Sequence, residues 1–204
     1  MTKWDAKYAA ADGRLFGAGP TEYLRGILAR SDFQARSALC LADGDGRNGT
    51  WLAAQGLAVT AVDLSARGTE LARRHDADLG VAVERITADL ADWTPPPGRT
   101  WEAVFLIHLH CEPEVRNRAL RVGAGALVPG GWMVVEGFAK AQAARDGMGP
   151  KDPALFYDLD ELSAALPGLE AVEALAGRVR LDEGVRHQGE AEIVRLAARK
   201  GGGG

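Results

Sequence analysis

Residues 37–49 read SALCLADGDGRNG, and this stretch decides the fold. Its first six residues form a short apolar run, which is typical of a strand buried inside a sheet. Residues 43–49 then bring three glycines, which allow a sharp bend and a close approach to a ligand. A helix predicted over residues 47–55 would point its first backbone amides at that ligand. The stretch therefore predicts a strand, a ligand-binding bend and a helix.

Further along the chain, apolar strands continue to alternate with helical patterns. Further strands are predicted at 57–62, 81–87, 101–109 and 132–138, and helices at 66–79 and 113–127. This alternation is typical of a mostly parallel α/β sheet covered by helices on both faces. The last third predicts a helix at 160–166 and strands at 170–175 and 190–198, which would add an antiparallel hairpin and complete a seven-stranded sheet.

Length and composition predict a single globular domain. The chain has 204 residues, 47% hydrophobic and 25% charged, with a net charge of -4 and no basic stripe. We therefore expect no nucleic-acid partner, and the lack of a long apolar run predicts no membrane partner. Two cysteines without zinc spacing, and a charged N-terminus, favour a cytoplasmic protein. We predict one domain over 1–200, in which 1–25 form an arm over the site, and a flexible tail at 201–204; monomer and homodimer both remain open.

An acid at the end of the second strand extends the predicted ligand site. Asp63 stands where a carboxylate accepts hydrogen bonds from both ribose hydroxyls of an adenosine, although it could also cap the helix that follows Ser65. Together with Gly44 and Gly46 it also fits the dinucleotide pattern, so an NAD(P)-dependent oxidoreductase is an open alternative. Asp89 and Leu90, after the third strand, suit an adenine ring. A chain with no Tyr-x-x-x-Lys and no room for a substrate domain argues against hydride transfer.

These motifs carry a resemblance to a known family. Residues 38–48, 59–65, 87–90 and 127–131 resemble class I methyltransferases that use S-adenosylmethionine (SAM). More narrowly, the Gly46-Arg47-Asn48 turn, the opening Trp4-Asp5 and the segments 149–153 and 181–184 are similar to the tellurite-resistance and thiopurine methyltransferase-like families.

The resemblance implies a Rossmann-like fold, SAM as cofactor, and methyl transfer by in-line displacement to a small-molecule acceptor such as tellurite, selenite or a thiol. It implies that the cofactor is bound by Ala42, Asp43, Gly44, Gly46, Arg47, Asn48, Asp63, Leu64, Asp89, Leu90 and Ile107.

Two residues depart from the family pattern. Cys40 stands where the strand usually carries an acid, and Ala42 stands where a glycine lets the backbone approach the cofactor. Asp43 and Asp45 are the acids that could take over the first role. We expect modest SAM affinity, and a non-catalytic SAM-binding protein is an alternative.

Two histidines end the fourth strand, and alternation places His108 and His110 on one face. His110 aligns best with the family's usual histidine and is the predicted catalytic base, with a hydrogen-bonded pocket residue as the alternative. A metal site of His108, His110 and Cys111 lacks a further ligand motif, so no metal is predicted.

For several other side chains the sequence leaves two possible roles. Trp4, Tyr8 and Phe16 would either cover the cofactor or anchor the arm to the sheet. The loop 139–151 is placed to cover a substrate, and three charged loop residues would either hold an anionic acceptor or remain solvated: Arg145, Lys151 and Arg186.

Overall fold

A computed structural model describes residues 1–11, 14–145, 147–184 and 186–202. It contains one seven-stranded sheet with the strand order β3-β2-β1-β4-β5-β7-β6. The strands are β1 (Ser37–Leu41), β2 (Ala58–Asp63), β3 (Val83–Thr87), β4 (Trp101–Ile107), β5 (Leu127–Phe138), β6 (Leu169–Asp182) and β7 (Gln188–Lys200). The first five strands pair in parallel, and β7 runs antiparallel to both β5 and β6. The predicted sheet and its C-terminal hairpin are confirmed.

Six α-helices accompany the sheet in the described chain, namely α1 (Lys3–Ala10), α2 (Glu22–Leu28), α3 (Gly49–Ala54), α4 (Ala66–Leu79), α5 (Pro113–Gly125) and α6 (Leu159–Ala164). Local sequence sets their ends: the Ser65 hydroxyl accepts a bond from the Gly68 amide at the start of α4, and Gly80 ends that helix with φ of 64°. All of these helices are too short or too polar to span a lipid bilayer.

Hydrophobic side chains fill both faces of the sheet because successive strand residues point to opposite sides. On β1, Leu39 and Leu41 pack into one core with α5 and α6, while Ala38 and Cys40 pack into a second core with α2 and α3. The strand order reverses between β1 and β4, and ligands of open α/β sheets bind at the carboxyl ends of the strands at such a point.

The structure differs from the sequence prediction at β5. This strand begins at Leu127, whereas the prediction began it at Trp132 after a tight turn and continued α5 through Leu127. Residues 129–131 are taken up as an irregularity in the pairing of β5 with β4, between Trp101 and Ala103. The predicted tail 201–204 has no regular structure at Gly201 and Gly202, and its last two residues lie outside the described residues.

Candidate active site at the carboxyl ends of the parallel strands

The glycine bend lies directly after β1, at the switch point of the sheet. Ala42, Gly44 and Gly46 all have positive φ, at 62°, 60° and 84°. A Cβ atom added to Gly44 would lie 2.2 Å from the hydroxyl of Tyr8. One added to Gly46 would lie 2.7 Å from the Cβ of Ala72. The bend therefore depends on its glycines both for backbone conformation and for space.

Asp63 is held against this bend from the end of β2. Its Oδ2 accepts a 2.8 Å hydrogen bond from the Gly44 amide, and its Oδ1 accepts one of 2.7 Å from the Ser65 amide. Burial of the carboxyl raises its pKa to about 6. Each carboxylate oxygen has a second lone pair, so these bonds leave capacity for two donors from a ligand.

Asp43 anchors the bend from the inside. Its Oδ1 accepts a 2.9 Å hydrogen bond from the Gly49 amide at the start of α3, and its Oδ2 forms a buried ion pair with Arg85. Cys40, at the position of the missing acid, is buried in the core, and burial raises the pKa of its thiol. Asp45 accepts a bond from the Leu15 amide. Of the two proposed substitutes, Asp43 is the one that fixes the turn.

The side chains of Arg47 and Asn48 connect the bend to distant parts of the chain. Arg47 Nη1 donates to the Phe16 carbonyl oxygen over 2.8 Å, and the guanidinium also reaches Glu183. The side-chain oxygen of Asn48 accepts a 3.1 Å bond from the Thr21 amide.

The other predicted cofactor residues lie at neighbouring strand ends. Leu64 is exposed after β2, and Asp89 is exposed after β3, where its Oδ1 accepts a 2.8 Å bond from the Ala91 amide. Leu90 and Ile107 are buried beneath this edge. The structure thus brings the predicted residues to one rim of the sheet, while their contact with a cofactor stays a prediction.

Helix α1 packs over the bend. Asp5 accepts bonds of 2.7 Å from the Ser65 hydroxyl and 3.1 Å from the Arg67 amide, which ties α1 to the start of α4. Tyr8 is buried against Gly44 and Gly68. A Cβ atom added to Gly68 would lie 3.0 Å from the Tyr8 ring. Trp4 contacts Phe16 with a ring-centroid distance of 6.2 Å. Helix α1 is therefore anchored to the start of α4 and packs over the glycine bend.

His110 has both ring nitrogens engaged by backbone groups. Its Nδ1 lies 2.9 Å from the Leu155 carbonyl oxygen, and its Nε2 accepts a 3.4 Å bond from the Phe138 amide. Burial lowers its pKa to about 4, which keeps the ring neutral near pH 7.

His108 is in the opposite situation. Its backbone has φ of 56°, a value that residues other than glycine rarely adopt. Its amide donates a 2.7 Å bond to the Glu136 carbonyl oxygen. Both ring nitrogens are buried and lack a hydrogen-bond partner among the described residues. Because β4 ends at Ile107, strand alternation does not apply to the two histidines, whose rings nevertheless lie close together with centroids 6.0 Å apart.

Glu183 and His187, which lie between β6 and β7, are two further groups at this place; neither was predicted as a site residue, although Glu183 lies in the segment 181–184 that carries the resemblance. The His187 ring lies 4.4 Å from that of His108, and its Nδ1 is 3.6 Å from Glu183 Oε2. We call His108, Glu136, Glu183 and His187 the histidine–glutamate cluster. The acid and the histidine on either side of a hairpin turn were the sequence signal that could have indicated these two residues. Cys111 is not part of this cluster in the described chain.

The three predicted anion-binding loop charges differ in their surroundings. Arg145 pairs with Glu192 at 3.2 Å, while Lys151 and Arg186 are exposed. Two other arginines contact the histidine–glutamate cluster: buried Arg47 pairs with Glu183, and half-buried Arg195 pairs with Glu136 at 2.8 Å.

Residues 38–131 match a family model described as a methyltransferase domain. The matched segment runs from β1 through the bend, Asp63 and β4 into β5, so it contains every predicted site residue. This match identifies a methyltransferase domain over these residues, and the order of the sheet is that of the Rossmann-like class I methyltransferase fold.

Three solved structures share this fold. The N-methyltransferase NodS from Bradyrhizobium japonicum, in complex with S-adenosylhomocysteine (SAH), is 15% identical, with a TM-score of 0.72 over 97% of this chain and 96% of its own. A protein solved in work on thioacetal formation during echinomycin biosynthesis is 17% identical, with a TM-score of 0.71 over 90% and 82%. TehB from Haemophilus influenzae is 14% identical, with a TM-score of 0.68 over 87% and 60%. No curated protein sequence matches the chain significantly.

Proposed function

We propose that this protein transfers the methyl group of SAM to a small-molecule acceptor held beside the carboxyl end of β4. The observation that carries the proposal is the 2.8 Å contact between Asp63 and the Gly44 amide. It joins the acid of one strand to the glycine bend of its neighbour, which is the arrangement that an adenosyl amino acid requires. NodS, with the same fold, was solved with SAH, which supports the choice of cofactor.

The chain's part in this reaction is to bind and align two reactants. SAM supplies a methyl group on a positively charged sulfur, so the leaving group is good without help from an acid. The glycine bend offers backbone amides to the cofactor, and Asp63 accepts hydrogen bonds from its ribose. Alignment of donor and acceptor contributes about 7–11 kcal/mol to lowering such a barrier.

The acceptor belongs, in this proposal, beside His108 and His187. Aromatic rings border this place, since Phe138 lies 5.0 Å from His108 and Phe16 lies 5.1 Å from His187 between ring centroids. The polar groups nearby suit a small acceptor with an ionisable oxygen, sulfur or related atom. The resemblance of the turn and opening residues to tellurite-resistance and thiopurine methyltransferases supports tellurite, selenite and thiols as the first compounds to try.

Calorimetry with SAM and with SAH tests the proposal. We expect one site for each ligand in the unaltered protein and a large loss of affinity in Asp63→Ala. If neither ligand binds to the folded protein, the proposal fails. NAD(H) raising the melting temperature where SAM does not would favour the oxidoreductase alternative.

Turnover is tested separately by measuring SAH release with tellurite, selenite and a panel of thiols. SAH release that depends on one acceptor identifies the substrate. Tight SAM binding without release across the panel would favour a non-catalytic SAM-binding protein.

A further inference from the structure

The histidine–glutamate cluster has the composition of a metal site. One ligand atom each from His108, Glu183 and His187 lies within 4.8 Å of the other two. All three side chains are nearly inaccessible, with exposures of 9%, 1% and 5%. Two imidazoles and one carboxylate, with further positions left open, form a ligand set used for zinc and for non-haem iron.

Unsatisfied polar atoms point to a ligand at this place. Four buried side-chain nitrogen or oxygen atoms of the described chain lack a partner, and three of them belong to His108 and Glu136. Glu136 Oε2 lies 3.9 Å from His108 Nε2. A buried polar atom without a partner costs about 1–3 kcal/mol. A bound ion would satisfy one ring nitrogen of His108 together with Glu136 Oε2.

Neighbouring groups orient the carboxylates of Glu183 and Glu136 by hydrogen bonds, as the residues around the ligands of a metal site do. Glu183 Oε1 accepts a 3.0 Å bond from the Glu22 amide, and Glu136 Oε1 accepts one of 2.8 Å from Arg195. In Glu136 this leaves the second oxygen free to face His108. Ligating carboxylates are commonly fixed in this manner.

The strained backbone of His108 supports the same reading. Its left-handed conformation costs about 1–3 kcal/mol, and such strain persists where the surrounding structure holds a functional side chain in place. Arg47 is the cation beside Glu183 and His187, but its contacts to them are long at 3.4 Å. Its shortest bond, 2.8 Å, goes to the Phe16 carbonyl oxygen, so it can stay in place as a donor to the carboxylate.

We propose that His108, Glu183 and His187 bind one divalent transition-metal ion, with Glu136 as a fourth ligand. In a methyltransferase this ion would bind the ionisable atom of the acceptor and favour its deprotonated form. That role rests on the proposed function, whereas metal binding by the cluster does not.

Metal-depleted full-length protein is titrated with Co²⁺ and Zn²⁺, and bound metal is measured by elemental analysis and by the visible spectrum of Co²⁺. We expect one ion per chain, with Co²⁺ bands that Zn²⁺ displaces. His108→Gln and His187→Gln should each lose at least ten-fold in affinity. The control His75→Gln removes a histidine outside the cluster and should bind normally.

SAH binding by calorimetry and circular dichroism are measured on the same samples. A variant that keeps its fold and SAH affinity but loses Co²⁺ supports the site. The proposal is overturned if the unaltered protein binds no stoichiometric metal, or if folded His108→Gln and His187→Gln both bind it as well as His75→Gln. Unaltered protein that binds SAH but no metal refutes the metal site alone; protein that binds metal but neither SAM nor SAH refutes the proposed function alone.

Discussion

Arg85 on β3 forms a buried ion pair with Asp43, the first acid of the glycine bend. The same guanidinium contacts Asp76 at 2.9 Å, and the Arg85 side chain is only 3% exposed. Arg85→Met would leave two buried carboxylates without their cation. We expect the free energy of unfolding to fall by about 3–5 kcal/mol, as measured by urea denaturation.

Arg67→Met is the matched control, because Arg67 pairs with Glu70 on the exposed side of α4. Its loss should change the free energy of unfolding by less than about 1 kcal/mol. Similar losses in the two variants would contradict the assigned role of Arg85.

The raised pKa of Asp63 predicts pH-dependent cofactor binding. The ribose hydroxyls donate to the ionised carboxylate, and the pKa of about 6 means that this form dominates only above that pH. SAH affinity should therefore rise as the pH increases through 6, and at pH 5 it should be up to about ten-fold weaker than at pH 8. Calorimetry at several pH values measures this change.

Asp63→Asn should bind SAH weakly with no such step, because its amide does not titrate in this range. A step near pH 6 that survives in this variant would assign the effect to another group.

Ala42 occupies a conformation that suits glycine, with φ of 62°. Ala42→Gly removes the Cβ strain, partly offset by the larger entropy of glycine in the unfolded chain. We expect the free energy of unfolding to rise by up to about 1 kcal/mol and SAH affinity to increase.

Ala61→Gly makes the same exchange in the middle of β2, where Ala61 is buried, and should destabilise the protein. The prediction for Ala42 is wrong if both exchanges lower stability by the same amount.

His110→Ala should lower turnover while SAM affinity stays nearly unchanged. The bonds of its ring to Leu155 and Phe138 hold the segment that borders the acceptor, so its loss disturbs the acceptor and spares the cofactor. SAH release and calorimetry separate the two effects. Unchanged turnover would exclude His110 from the reaction, whether as base or as a positioning residue.

The sheet was predictable because its signals are local. Apolar runs on either side of the bend, the Ser65 cap and the Gly80 stop each act within a few residues, and the structure confirms them. The start of β5 was not predictable in this way. Residues 129–131 have the composition of a turn, but Leu127 pairs with Trp101 of β4 and therefore belongs to β5.

The histidine–glutamate cluster depends on contacts that no local pattern describes. His108 directly follows β4, whereas Glu183 and His187 lie between the two strands of the C-terminal hairpin, far along the chain. Their meeting is set by the register in which Asp182 pairs with Gln188 and Glu136 pairs with Arg195. The sequence predicted residues that the structure brings to one rim of the sheet, and it did not predict Glu136, Glu183 and His187 as site residues.

The phenol of Tyr8 lies against Gly44, inside the predicted cofactor site. Under the proposed function, entry of the methyl donor and departure of its spent form would both move α1 away from α4 and break the bonds that Asp5 accepts from Ser65 and Arg67. Each catalytic cycle would include this opening twice, so the strength of one short helix's attachment would set an upper bound on how fast the enzyme can run.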